Sequence, residues 1–127
     1  MRLQLDCHIA KGTVAALRQR LPSLQAEHLA GWRAGAFLRG SDEDILAACH
    51  SEQRVFVTFD QRTIPDLLRF WAAEQRPHSG LIFGDDNTVR PNNPGAVAGA
   101  IVRLATELGN ADTTNLIRFL RWPKIGS

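Results

Sequence analysis

Apolar and polar positions follow two different periods along this chain. The opening segment Arg2-Leu3-Gln4-Leu5-Asp6 alternates every second residue, and residues 54–60 form a nearly continuous apolar run. These patterns are typical of a short strand and of a strand covered on both faces. Elsewhere apolar residues recur every three or four positions, as on one face of a helix. The predicted strands are 2–6, 24–29, 54–60 and 79–83, and the predicted helices are 9–21, 41–52, 64–75, 96–108 and 112–120, the last ended by Trp122-Pro123.

The regular alternation of strands and helices predicts the fold class. It indicates an α/β fold with three layers, α/β/α, in which helices cover both faces of a mainly parallel central sheet. With 127 residues, 44% of them hydrophobic, the chain is expected to form a single domain, 1–127. No segment has the roughly 18 consecutive apolar residues of a membrane span, and the first residues do not resemble a signal peptide. We therefore expect a cytoplasmic protein with no membrane partner.

Charge and cysteine content exclude several functional classes. The 15 basic residues exceed the 13 acidic residues by two, which is too little for a protein that binds nucleic acid by charge alone. Thirteen of the bases are arginines, which suit bidentate contacts to phosphate or carboxylate, although a solvated arginine-rich surface explains the same bias. Cys7 and Cys49 are too few for a disulfide framework and lack the spacing of a zinc site.

Acidic residues from three distant segments are predicted to meet at one edge of the sheet. Asp6 and Asp60 end the strands 2–6 and 54–60, while Asp42 and Glu43 lie in the first turn of the helix that leads into the second of these strands. In an open α/β sheet the functional crevice lies outside the carboxyl ends of the strands. Carboxylate oxygens suit Mg²⁺ or Mn²⁺, which can activate a water and neutralise charge on a phosphodiester. The pattern therefore indicates a divalent-metal site.

Each acid also has a structural interpretation. Asp42, Glu43 and Asp44 follow Ser41, a predicted N-cap, where negative charge interacts favourably with the helix dipole. Asp60 suits a turn or the cap of the next helix. Asp6 has no evident cap or turn to serve, which makes it the hardest to explain structurally.

Two stretches of the sequence resemble a known family. "LQLD" at the start and "SDEDILAACHSEQRVFVTFD" in the middle resemble the short bacterial PIN-like domains, relatives of the PIN-domain ribonucleases, over the first 85 residues and loosely thereafter. The resemblance implies that Asp6, Asp42 and Asp60 are catalytic and hold Mg²⁺ or Mn²⁺, with Glu43 as a weaker ligand. It also implies cleavage of single-stranded RNA, a small antitoxin protein as partner of a toxin-like nuclease, and a homodimer.

The sequence departs from the family pattern at two places. The family often has Leu-Asp-Glu-Asn where this chain has Leu5-Asp6-Cys7-His8, and Asp-x-Asp-Phe where it has Asp60-Gln61-Arg62-Thr63. Both departures remove an acid, which weakens metal binding and makes loss of activity a real alternative.

Residues outside the acidic set are candidates for substrate binding. Arg39, Arg62 and Arg33 are predicted to flank the acids and to bind phosphate, or else to be solvated loop arginines. Trp32 and Phe37 in the glycine-rich stretch 30–40 are candidates for stacking on bases, or for a hydrophobic lid or partner surface.

Three functional hypotheses follow. The first is a divalent-metal-dependent ribonuclease, the toxin of a toxin-antitoxin pair. The second is a catalytically inactive PIN-like module that binds other proteins. The third is a phosphoacceptor or phosphatase that uses Asp6 or Asp60 as nucleophile, but the chain lacks the Asp-x-Asp pair expected for it after the first strand.

Overall fold

Five short parallel strands form the central sheet in the computed structural model, which describes residues 1–121. The strands are β1 Arg2–Leu5, β2 Gln25–His28, β3 Val55–Thr58, β4 Leu81–Phe83 and β5 Ile117–Phe119. The helices are α1 Gly12–Arg20, α2 Asp42–Glu52, α3 Ile64–Ala73 and α4 Pro94–Leu108, with a short 3₁₀ turn at Trp32–Gly35. All neighbouring strands pair in parallel, in the order β2-β1-β3-β4-β5. The predicted α/β class is confirmed.

Helices cover both faces of this sheet, so the three-layer α/β/α architecture is also confirmed. Leu3 and Leu5 of β1 pack with α1 and α4 in one apolar core. Phe56 of β3 packs with α2 and α3 in a second core on the other face. Because successive side chains of a strand point to opposite faces, Gln4 and Thr58 lie on the side of α2 and α3. The site described below is on that side.

The predicted helix at 112–120 is wrong. The chain instead turns at Asn115, whose φ of 60° is left-handed, and residues Ile117–Phe119 form β5, paired with β4 from Leu81 to Phe83. A β-branched and an aromatic residue two positions apart suit a strand, and pairing with β4 outweighs the weak local preference for helix. The predicted stop at Trp122-Pro123 lies outside the described residues.

The glycine-rich stretch 30–40 is mostly loop, but its tryptophan belongs to the core. Trp32 is 2% exposed and its ring lies 4.7 Å from the ring of Phe37. The guanidinium of Arg54 lies over the ring of Trp32, 4.8 Å from the ring centroid. Trp32 is therefore enclosed by protein atoms and is not available to stack on a base.

Arg54, at the start of β3, is the centre of a polar network that sequence inspection did not identify. Its side chain is 9% exposed and contacts the carboxylates of Glu27 at 2.9 Å and Glu52 at 3.2 Å. Its Nη1 also donates to Oε1 of Gln4, a fully buried side chain of β1, at 3.1 Å. The network ties β1, β2, β3 and the end of α2 together at the amino ends of the strands.

Among residues 1–121, no helix is both long enough and apolar enough to cross a membrane.

We predict that Arg54→Ala lowers the free energy of unfolding by about 3 kcal/mol, because it leaves partly buried carboxylates and the buried amide of Gln4 without their donor. The matched control is Arg69→Ala. Arg69 pairs with Asp66 on the surface, where the two side chains are 78% and 74% exposed, and its loss is expected to cost less than about 0.5 kcal/mol. Urea unfolding followed by circular dichroism measures both. Equal effects of the two substitutions would contradict a structural role for the Arg54 network.

Candidate acidic site at the carboxyl ends of the strands

The strand order reverses between β1 and β3. The chain leaves β1 through α1 towards β2 on one side, and returns through α2 to β3 on the other side. Ligand sites of open α/β sheets lie at such a reversal, outside the carboxyl ends of the strands. Asp6 follows β1, Asp60 follows β3 by two residues, and Asp42 is the first residue of α2. We call these three residues the acidic rim.

Thr58 connects two members of the acidic rim. Its hydroxyl donates to Oδ2 of Asp6 at 2.6 Å and accepts from the backbone N–H of Asp60 at 3.1 Å. The other oxygen of Asp6 accepts from the N–H of Cys7 at 2.7 Å. Asp6 is therefore held in one orientation by a side chain of the neighbouring strand. The hydrogen bond from Thr58 thus orients a strand-terminal aspartate that has no helix to cap.

Thr63 connects Asp60 to the third member, Asp42. Its hydroxyl donates to Oδ2 of Asp60 and lies 3.4 Å from Oδ2 of Asp42. Oδ1 of Asp60 accepts from the N–H groups of Arg62 at 2.9 Å and Thr63 at 3.0 Å, just before α3 begins. The interpretation of Asp60 as a turn-forming residue is thus confirmed, and the same turn brings Asp60 close to Asp42.

The loop that carries Asp60 is held in place by contacts with Gly84. The ring of Phe59 packs on Gly84 so closely that a Cβ there would lie 2.3 Å from it, so only glycine fits. The side chain of Gln61 donates to the carbonyl of Gly84 at 2.8 Å. These contacts hold the loop between β3 and α3 against the end of β4.

The charges of Asp60 and Asp6 affect the pKa of Asp42. Partial burial raises the pKa of Asp42, and the charges of Asp60 and then Asp6 raise it further, against a hydrogen bond from Thr63. Partial burial would also raise the pKa of Asp60, but donors from Thr63 and Arg62, with some contribution from His8, bring it below its usual value. Asp60 is therefore stabilised as an anion, and Asp42 is the group that carries the unrelieved repulsion.

Cys7 and His8 lie beside the acidic rim, where the resembled family often has Glu-Asn. Both side chains are exposed. Burial and the negative charges of Asp6 and Asp42 raise the pKa of the Cys7 thiol, so that the thiol stays protonated at neutral pH. Neither residue replaces the missing acid.

The other predicted site residues are distributed unevenly. Arg62 lies two residues after Asp60, and Arg39 precedes the N-cap of α2 by two residues. Both arginines are exposed, and neither forms an ion pair within residues 1–121. The structure does not bring Arg33 to the rim, because its guanidinium pairs with Glu52 at the opposite end of α2. Glu43 lies next to Asp42 in sequence, but its carboxylate pairs with Arg76 at 2.7 Å.

The fit of this site to a divalent cation rests on its oxygen donors. Within residues 1–121, no three acidic, histidine or cysteine side chains lie together in a group that could hold a metal ion. Mg²⁺, however, binds proteins through one or two carboxylates and keeps several waters. Each oxygen of Asp6 has one hydrogen-bond donor and therefore a free lone pair, and Asp42 has a single contact of 3.4 Å. A hydrated cation fits such a set and would relieve the repulsion on Asp42.

Sequence inspection identified the acids but not their threonine partner Thr63. The spacing Asp60-x-x-Thr63 before an apolar helix is a helix-start pattern and could have indicated it. The other threonine, Thr58, lies in β3 two residues before Asp60, and its hydroxyl bonds Asp60 as well as Asp6. The expected N-cap at Ser41 is confirmed, since its hydroxyl accepts from the N–H of Asp44 at 3.1 Å.

Comparison of the chain with protein-family models, with curated proteins and with solved structures gives no match. The resemblance to PIN-like domains therefore stays a prediction, and the site is interpreted below from its own geometry.

We predict that Asp60→Ala lowers the free energy of unfolding at pH 7 by about 1 kcal/mol, as expected when the acceptor at a helix start is lost. Because the folded-state pKa of Asp60 is below the usual 3.8, its stabilising contribution is present above that value. The contribution disappears as the pH falls through the folded-state pKa. The difference in free energy of unfolding between wild type and Asp60→Ala should therefore shrink as the pH falls from 7 through the folded-state pKa. Urea unfolding at a series of pH values measures it.

The control is Asp60→Asn, which keeps an acceptor oxygen without the charge and should show a smaller difference from wild type at pH 7. A wild-type to Asp60→Ala difference that is independent of pH would show that the Asp60 anion does not stabilise the turn.

Proposed function

We propose that this protein is a divalent-metal-dependent ribonuclease that hydrolyses single-stranded RNA at the acidic rim. The observation that carries the proposal is the series of hydrogen bonds at the strand-order reversal, in which the hydroxyl of Thr58 links Asp6 to Asp60 and the hydroxyl of Thr63 links Asp60 to Asp42. The turn before α3 explains Asp60, and the start of α2 favours Asp42, but Asp6 neither caps a helix nor forms a turn. Partial burial and the charges of Asp60 and Asp6 raise the pKa of Asp42, and a bound cation would relieve this cost.

The three acids would have different tasks. Asp6 and Asp60 are fixed by hydrogen bonds and present oxygens in defined positions. Asp42 has one weak contact and is the carboxylate that can turn towards an ion. When bound, Mg²⁺ or Mn²⁺ would activate a water and neutralise charge that develops on the phosphodiester. Glu43 would contribute only after release from Arg76.

Arg39 and Arg62 would bind the phosphates that flank the bond to be cut. Both guanidinium groups lie on segments next to the acidic rim and lack an acidic partner within residues 1–121. Arginine suits bidentate contacts to phosphate oxygens. Arg33 has no such role in this proposal because Glu52 already neutralises it.

The choice of RNA, and the role as the toxin of a toxin-antitoxin pair with a small antitoxin partner, are supported by the resemblance to PIN-like domains alone. The same holds for a homodimer. The residues Cys7-His8 and Gln61-Arg62, which replace acids of the family pattern, leave a smaller ligand set than that family has. Weak affinity for the metal is therefore expected.

The phosphoacceptor hypothesis is less well supported. The chain has Cys7-His8 after Asp6, so the second acid of the expected Asp-x-Asp pair is absent.

We predict that calorimetry detects Mn²⁺ binding to the wild type and that Asp6→Asn or Asp60→Asn weakens it at least about tenfold. Cleavage of a fluorogenic single-stranded RNA pool in the same samples should require Mn²⁺ or Mg²⁺ and should fall with the affinity. Asp→Asn keeps the size of the side chain and one acceptor oxygen, so the fold is expected to be retained. Circular dichroism melting checks that it is.

The matched control is Asp112→Asn, an exposed aspartate before β5 that lines a cavity with Met1 and Arg2 at the amino ends of the strands. It should bind Mn²⁺ and cleave RNA like wild type. If Asp6→Asn and Asp60→Asn also behave like wild type, the proposed site is wrong. A folded wild type that binds no Mn²⁺ at millimolar concentration would instead favour a protein-binding module without catalysis.

A further inference from the structure

One edge of the sheet has backbone groups without partners. β2 is an edge strand and pairs with β1 alone. The N–H of Leu29 donates to the carbonyl of Leu5 at 2.9 Å, so residues 25, 27 and 29 direct their backbone groups towards β1. Because these groups alternate along a strand, those of Ala26 and His28 point away from the sheet. The carbonyl of His28 accepts from Gly31 at 3.0 Å, but within residues 1–121 the N–H and C=O of Ala26 and the N–H of His28 have no partner.

A groove lies between this edge and α1. Its volume is about 420 Å³, and it is lined on the strand side by Ala26, Glu27 and His28 and on the helix side by Lys11, Val14 and Arg18. The helix residues recur at spacings of three and four, so they form one stripe of α1. The side chain of Ala26 faces the same apolar core as α1, and Val14 packs partly against that core. The floor of the groove is thus small and apolar, and its ends are basic.

The charge of the groove is positive and uncompensated. Lys11 and Arg18 are exposed, and neither forms an ion pair in the described part of the chain. Glu27, the acid that lines the groove, is bound to the buried Arg54 at 2.9 Å. The two bases are seven residues apart on a helix, or roughly 10 Å along its axis.

We propose that this groove binds an acidic peptide segment of a partner protein in extended conformation, added to β2 as a further strand. A residue opposite Ala26 exchanges two backbone hydrogen bonds with it, and its side chain lies on Val14 and Ala26. The side chains two positions before and after it lie on the same face, roughly 13 Å apart, within reach of Lys11 and Arg18. The groove therefore selects a five-residue segment. Its first and last residues are acidic, its central residue is small and apolar, and the other two residues can be of any type.

This mode of binding uses main-chain hydrogen bonds for affinity and side-chain contacts for specificity. The site is independent of the acidic rim, because none of its lining residues belongs to that rim. If the nuclease proposal is wrong, the proposal for this groove is unaffected.

The test uses the full-length protein and a fluorescein-labelled peptide with the core sequence Asp-Ser-Val-Thr-Asp. Fluorescence anisotropy should show saturable binding, and amide hydrogen exchange by NMR should show new protection at Ala26 and His28. Methylation of the peptide nitrogen of the central valine removes one donor to the edge without changing charge. It should weaken binding about fivefold to tenfold.

Charge-reversal variants provide the second arm. Arg18→Glu should weaken binding by a similar factor and more strongly at low salt. Arg103→Glu on α4 is the matched control, since it is exposed and changes the charge equally, and it should leave binding unchanged.

Three outcomes would overturn the proposal. The first is equal binding of the methylated and unmethylated peptides, which would mean charge attraction without strand addition. The second is displacement of the peptide by single-stranded RNA that itself protects neither Ala26 nor His28, which would make the groove a phosphate-binding surface. The third is no binding of a millimolar peptide to the folded wild type.

Discussion

The position of β1 between β2 and β3 is the constraint on which the rest of the structure depends. β1 is four residues long, and its backbone is satisfied only when both neighbours are in place. The crossover through α1 takes the chain to one side of β1 and the return through α2 takes it to the other, so two helices are committed to opposite faces. The same arrangement places Asp6 at the reversal of strand order, next to Thr58 of β3. The site is thus a consequence of the topology.

Charged side chains are paired at the amino ends of the central strands and unpaired at their carboxyl ends, within the described residues. At the amino ends, Arg54 is surrounded by Glu27, Glu52 and Gln4, and its positive charge is compensated. At the carboxyl ends, Asp6, Asp42 and Asp60 are linked through Thr58 and Thr63 and have no paired base in the described part of the chain. Partial burial, and then the charges of Asp60 and Asp6, raise the pKa of Asp42. A polar network in which every charge is paired contributes to stability. Charges of one sign that lie together without a compensating partner are instead expected at functional sites. This contrast is the physical basis for assigning function to the carboxyl ends.

The parts of the fold governed by periodicity were predictable from the sequence. The buried run at 54–60 and the alternation at 2–6 gave β3 and β1, and because parallel strands end at a common edge, the convergence of Asp6, Asp42 and Asp60 followed. The parts that depend on tertiary contacts were not predictable. Ile117–Phe119 becomes a strand only because β4 offers a free edge. Arg33 is directed away from the rim by Glu52, 19 residues later in the chain.

The most direct measurement of the central claim is the effect of Mn²⁺ on the amide signals of the ¹⁵N-labelled protein, because a bound paramagnetic ion broadens the signals of nearby nuclei. The account predicts that substoichiometric Mn²⁺ broadens the amides of Cys7, Glu43 and Gln61, which are next to the three acids in the chain. Amides at the amino ends of the strands, such as those of Gln53 and Thr113, should keep their line widths. Broadening centred on those amides, or no broadening near the acids at excess Mn²⁺, would contradict the assignment of the acidic rim as a metal site.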